Sequence, residues 1–286
     1  MRVGLHALGI GSGARPEVIE EVAHAAERAG FATLWAGEHV VMVDRSASRY
    51  PYNDAGEIPV PADVDWLDPF ICLSFAAAAT STIPLATGIL LLPEHNPVLI
   101  AKQAASLDLL SGGRLALGVG IGWSREEFDA LGVPFADRAA RTVEYAQAIR
   151  TVWREDSASF AGRFVDFDSI RVYPKPVRDR RLPIVFGGNS DPALARVAAH
   201  GDGWYGFNLE SVAAVDDRIT TLRRQCARVG RDPGELSIAV AVPGSQPSDR
   251  DALERLGVTE LVLVESPPGE PERASAWVGE LAQRWI

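Results

Sequence analysis

Histidines, acids and glycines recur in this chain at one kind of place, the ends of short apolar runs. Glu38-His39 follow TLWA (33–36), and His95-Asn96 follow LATGILLL (85–92). Gly118, Gly120, Gly122 and Trp123 close the run LALGVGIGW (115–123), and Gly187-Gly188-Asn189 close LPIVFGGN (182–189). His6 lies near the end of the first run, RVGLHA (2–7). Imidazole changes charge near neutral pH, so it suits a proton donor or acceptor. A neighbouring Glu38 could fix the tautomer of His39 or simply accept an amide. Glycines offer bare backbone that a flat ring or an anion can approach closely.

Three readings of these residues compete. His6, Glu38, His39 and His95 together suggest a zinc centre. However, the close histidine pair of barrel metal hydrolases is missing, since Leu8 stands two along from His6, and no metal site is assigned. GVGIG (118–122) invites a dinucleotide reading, but its spacing is G-x-G-x-G and not G-x-G-x-x-G, so it reads equally as a tight turn. GGNSDPAL (187–194) runs from an apolar strand straight into a helix, with Asp191 as the expected cap and Pro192 at the first position. The free amides of such a helix start face an anion, naturally a phosphate, although a carboxylate at Asp191 opposes it.

Apolar strands alternate with helical patterns along the whole length, and they position these residues. The strand-like runs are RVGLHA (2–7), TLWA (33–36), LATGILLL (85–92), LALGVG (115–120), LPIVFGG (182–188), GWYGF (203–207), LSIAVAV (236–242) and ELVLV (260–264). Each is followed by a helical stretch; Pro16, Pro69 and Pro97 open the early ones, and Gly30 and Gly112-Gly113 stop two of them. Eight apolar strand-plus-helix units predict a single (β/α)8 TIM barrel over 1–286, with a doubly wound sheet as the alternative. In such a barrel the residues after each strand line one mouth, which is where the candidates fall. Two segments exceed the pattern. Residues 43–68, after the second strand, are polar, proline-rich and carry Tyr50, Tyr52 and Trp66, as an active-site lid would. Residues 156–176, after the fourth strand and its helix, read as a hairpin turning at FAGRF.

Composition removes whole classes. The 286 residues carry 28 Lys+Arg against 38 Asp+Glu, a net charge of −10, with no basic segment to follow a phosphate backbone. Cys72 and Cys226 are the only cysteines, too few for a disulfide framework. The start MRVGLHALGIG lacks the charged and apolar regions of an export signal, which implies a cytoplasmic address. Pro69 to Pro93 holds no charged residue and is long enough to span a bilayer. Thr80-Ser81-Thr82, Pro84 and Gly88 interrupt it, so it reads as a buried helix followed by a buried strand, and no membrane partner is expected.

The stretches AGEHVV (36–41), WLDPF (66–70), LATGILLLPEHNPVLIAKQAASLDLLSGGRLALGVGIGW (85–123), EEFDALGVPFADRAARTVE (126–144) and LPIVFGGNS (182–190) resemble the luciferase-like monooxygenase family, in particular its actinobacterial branch dependent on the deazaflavin coenzyme F420. The resemblance implies a (β/α)8 barrel of the bacterial luciferase type. It also implies a non-prolyl cis peptide at a third-strand bulge, here Gly88-Ile89 beside Thr87. Cofactor contacts would fall on Thr87, Gly88, Ile89, Gly120, Gly122 and Trp123, and the cofactor phosphate on backbone amides at Gly187, Gly188 and Asn189. His39 matches the family's active-site histidine. Trp123 stands where some deazaflavin-dependent sugar-phosphate dehydrogenases place a catalytic glutamate, which argues for an apolar substrate instead. Trp35, inside a strand, reads as core. Arg138 and Arg141 could meet an anionic group or be solvated helix charges.

The implied activity is hydride transfer between reduced F420 and an organic substrate. The alternatives are an FMN-dependent monooxygenase fed by a separate reductase, a metal-dependent barrel hydrolase, and a non-catalytic cofactor-binding protein. A homodimer is also implied, since relatives often form one.

Overall fold

The strand at the start of the chain, β1 (Arg2–Leu8), is buried along nearly its whole length and pairs in parallel on both sides, as an apolar run without alternation should. The computed structural model describes residues 1–286. After β1 come α1 (Pro16–Ala29), β2 (Leu34–Ala36), α2 (Pro69–Ala79), β3 (Leu85–Thr87), β4 (Leu90–Leu91), α3 (Pro97–Leu110) and β5 (Leu115–Gly120). They continue with α4 (Arg125–Ala130), α5 (Arg138–Arg154), the antiparallel hairpin β6 (Ala158–Ala161) and β7 (Asp166–Ile170), β8 (Ile184–Gly187), α6 (Asp191–His200) and β9 (Gly203–Gly206). The chain ends with α7 (Val212–Arg228), β10 (Ser237–Val240), α8 (Arg250–Leu256), β11 (Glu260–Val264) and α9 (Pro271–Trp285).

Every pairing in the main sheet is parallel, and its order β3-β2-β1-β11-β10-β9-β8-β5-β4 closes through an additional β3–β5 pairing. The sequence run 85–92 therefore forms one barrel strand in two pieces. Leu85 and Ala86 pair with Leu115 and Ala116, whereas Leu90 and Leu91 pair with Val119 and Gly120. Between them lies the cis peptide Gly88–Ile89. Eight strands thus close a (β/α)8 barrel, which excludes the open doubly wound sheet.

Two apolar layers hold it. The larger core fills the space between strands and helices, and its biggest fully buried side chains include Trp153, Trp204 and Phe186. A smaller cluster of Trp35, Ala86, Val185, Tyr205, Ala239 and Val262 fills the barrel interior, so Trp35 is core as expected. No helix is long and apolar enough to cross a membrane; α2, from the charge-free run, is capped by Asp68 and ends at Ala79.

Candidate active site

The strands all deliver their C-terminal ends to one mouth, where a cavity of about 500 Å³ opens. A larger cavity, about 670 Å³, opens at the other mouth, but it holds none of the candidate residues. Ion pairs and backbone-bound arginines such as Arg114 line it, and the candidate residues gather at the C-terminal end instead.

His39 stands on the cavity wall. Its Nδ1 donates to Glu127 Oε2 at 2.8 Å, and the other oxygen of Glu127 accepts the amides of Val40 and Val41 at 2.7 and 3.1 Å. A carboxylate held by two amides is a fixed acceptor, so it sets the tautomer and leaves Nε2 as the ring nitrogen without a protein partner. Trp66 and Trp123 meet the imidazole edge-on, with ring centroids 4.9 and 5.9 Å away. Glu127 is carried by α4, whose N-cap is Ser124, and it is fully buried.

Glu38 does not take that part. Its carboxylate accepts the Leu91 amide at 2.6 Å and the Nε2 of His95 at 3.0 and 3.1 Å. It ties the loop after β2 to the far side of the third-strand bulge. The tautomer role weighed for Glu38 thus falls to Glu127, and amide acceptance is what Glu38 does. Burial works against charge on His95, yet the hydrogen bond and charge of Glu38 prevail and raise its pKa.

His6 lies at the floor, where Nδ1 meets the Tyr205 hydroxyl at 3.2 Å. Burial pushes its pKa down to about 4, so the ring stays neutral at neutral pH. The three rim histidines therefore have three separate partners, Tyr205, Glu127 and Glu38. No group of three or more His, Cys, Asp or Glu side chains is arranged to hold a metal ion.

Gly88, Ile89, Gly120, Gly122, Trp123, Gly187, Gly188 and Asn189 all line the cavity. Thr87 does not. It is fully buried, and its hydroxyl donates to the Gly118 carbonyl at 2.7 Å, stitching β3 to β5. Side chains alternate along a strand, so with Ala86 facing the barrel interior Thr87 must face away from it. The glycines at 120 and 187 have a definite use: a Cβ there would meet Ile89 Cδ1 at 2.1 and 2.7 Å, so they make room for the bulge itself.

Beyond Asn189 the cavity turns cationic. The cap of α6 is Ser190, whose hydroxyl accepts the Ala193 amide, and not Asp191, which pairs with Arg218 at 2.9 Å. That removes the objection to an anion at this helix start. Arg138 and Arg196 line the same end, and Arg138 and Arg125 stack on Phe135 at 3.8 and 4.4 Å. Burial, then a neighbouring guanidinium, lowers the pKa of each, and no acid offsets it. The Asn189 amide donates to Phe207 O, while its Oδ1 is buried without a partner. Arg141 instead donates to the Pro134 and Ala136 carbonyls inside the fold.

The segment 43–68 crosses this mouth. Tyr50 meets Trp123 edge-on at 5.4 Å and Tyr52 meets Phe207 at 5.3 Å, so aromatic rings form much of the wall. Glu126 accepts the Ala47 and Ser48 amides, and Asn208 donates to Tyr52 O, anchoring the segment at two points.

Glu127, Arg196 and Glu94 escape a reading of strand ends, because each reaches the site region from a helix or turn. The capping pattern Ser124-x-x-Glu127 was the available signal for the first.

A family model described as luciferase-like monooxygenase matches residues 3–276. An uncharacterized protein of Mycobacterium tuberculosis is 33% identical over 262 residues, covering 92% of each chain. The FMNH2-dependent dimethylsulfone monooxygenase of Pseudomonas putida is 31% identical over 223 residues, covering 72% of this chain and 61% of that protein. Among solved structures, the coenzyme F420-dependent tetrahydromethanopterin reductase of Methanopyrus kandleri superposes with a TM-score of 0.76 at 16% identity, over 100% of this chain and 98% of that one, which shows a shared fold.

Proposed function

The chain belongs to the luciferase-like monooxygenase family, and from that premise we propose that it is an F420-dependent oxidoreductase acting on an apolar organic substrate. The observation that carries this reading is the division of one cavity into an aromatic end holding His39 and a cationic end holding Arg138, Arg196 and the start of α6. That division suits a cofactor with a flat ring and an anionic tail. Unoffset guanidinium groups and free helix amides are what such a tail would satisfy. Gly88, Ile89, Gly120, Gly122 and Trp123 would hold the ring, and Gly187, Gly188 and Asn189 the phosphate. When bound, the deazaflavin supplies the hydride.

The protein's own part is orientation, water exclusion and one proton. Glu127 fixes Nδ1 of His39 as the protonated nitrogen, so Nε2 handles the proton at the substrate. Glu38 and His95 act behind it as positioning residues. Tyr50, Tyr52, Trp66 and Trp123 close an apolar chamber over the reacting groups, which suits an apolar substrate better than a sugar phosphate. The F420-dependent structural relative supports the cofactor. The sequence likeness to the FMNH2-dependent enzyme favours the second reading, a monooxygenase using reduced FMN from a separate reductase.

We read the working protein as a homodimer. Helices α2 and α3 pack side by side and expose Ile71, Phe75, Leu99, Leu109 and Leu110, each more than half accessible.

His39→Ala tests the assignment. The expected result is a loss of turnover of ~10²–10⁴-fold with cofactor affinity kept. Retained turnover removes His39 from the chemistry, and lost cofactor binding makes it a structural residue.

A further inference from the structure

Glu94 is the one buried carboxyl near the site that no hydrogen bond explains. It lies in the turn between β4 and α3, is 8% exposed, and neither carboxyl oxygen has a partner. Its Oε1 packs against Gly122, where a Cβ would come within 3.0 Å of it, beside the ring of Phe128. The charged groups acting on it are the carboxylates of Glu127, on α4, and Glu38, on the loop after β2. The cations of the facing helix α5 are committed elsewhere, Arg138 to the Gly122 carbonyl and Arg141 to those of Pro134 and Ala136. Each flanking carboxylate already holds a histidine, Glu127 with His39 and Glu38 with His95.

A buried carboxylate without donors and beside two others of the same charge is unfavourable three times over. A neutral carboxylic acid relieves this, since it removes the buried charge and its repulsion by the two flanking carboxylates. We propose that Glu94 is a positioning residue, held as a neutral acid between the Glu38–His95 and Glu127–His39 pairs, so that both flanking glutamates can remain carboxylates. Burial first, then Glu127 and Glu38, pushes its pKa up to about 9. Above that pH a third negative charge enters the pocket, favours the imidazolium form of His95, and disturbs the acceptor that orients His39. Glu94 thereby sets the alkaline limit of the site. The effect on turnover rests on the proposed role of His39; the protonation state does not.

The test uses the full-length protein without cofactor, read by infrared spectroscopy and by histidine-ring NMR across an alkaline titration. The expected result is a carboxylic-acid carbonyl band present at neutral pH that disappears with a midpoint near 9, and a step in the His39 and His95 ring signals at the same midpoint. Both are absent in Glu94→Gln, and the alkaline limb of the turnover profile moves to higher pH in that variant. A carboxylic-acid band that vanishes in the ordinary carboxyl range overturns the proposal from the wild-type protein alone. So does a histidine step that survives the substitution. Neither spectroscopic readout needs turnover, so failure of the F420 assignment and failure of this proposal give different results.

Discussion

The imidazole of His39 and the carboxylate of Glu127 lie 88 positions apart in the chain, and their 2.8 Å hydrogen bond turns a titratable side chain into one with a defined tautomer. His6 makes the opposite use of the same chemistry. Buried against Tyr205, it stays neutral because a charge there would lose its water. The unfolded chain takes up a proton on His6 below 6.5, whereas the native state does so only below about 4. The unfolded state therefore binds more protons across that window. The stability contribution is intact above pH 6.5 and is lost progressively as the pH falls to 4, by about 3 kcal/mol in all. Urea unfolding of wild type and His6→Leu at both pH values checks this. The variant is expected to lose less stability than wild type on acidification, and equal losses would show that His6 is not held neutral.

The elements explain why some of the site could be read and some could not. Strand ends announced themselves: His39, Trp123 and Gly187-Gly188 follow apolar runs, and the eight runs sufficed for the barrel. The family resemblance puts Thr87 at the cofactor, whereas alternation with Ala86 turns it away, so pairing geometry and not motif decides its place. Ser190 displaced Asp191 as cap by one residue, a shift too small for pattern reading but enough to move a carboxylate onto Arg218. Glu127, Glu94 and Arg196 were hidden because only closure of the barrel brings their helices and turns over the mouth. Gly118 shows how tightly the split strand is fitted: a Cβ there would lie 2.0 Å from the Thr87 carbonyl oxygen, a backbone atom that cannot swing aside. Gly118→Ala is expected to cost at least about 1–3 kcal/mol by overpacking. Chemical denaturation reads the loss directly, and an unchanged midpoint would mean that β3 and β5 separate easily.

The whole molecule presents an apolar face on α2 and α3 to its surroundings and carries a net negative charge. Phe75 and Ile71 stand more than half exposed on a helix with no charged residue, next to Leu99, Leu109 and Leu110 on its neighbour. A net charge of −10 keeps copies apart except where such a face can be covered. The homodimer reading expects Phe75→Glu to convert a dimer to a monomer in light scattering, with cofactor binding retained. A wild-type monomer would refute it.

One mouth of the barrel combines aromatic walls, the Gly88–Ile89 bulge and an unoffset cationic end in a single cavity. The most direct test of F420 dependence is a side-by-side fluorescence titration of the purified protein with coenzyme F420 and with FMN. Selective binding of F420, weakened by Arg196→Ala and by Arg138→Ala, is the predicted result. Preferential binding of FMN, or binding of neither, would contradict it.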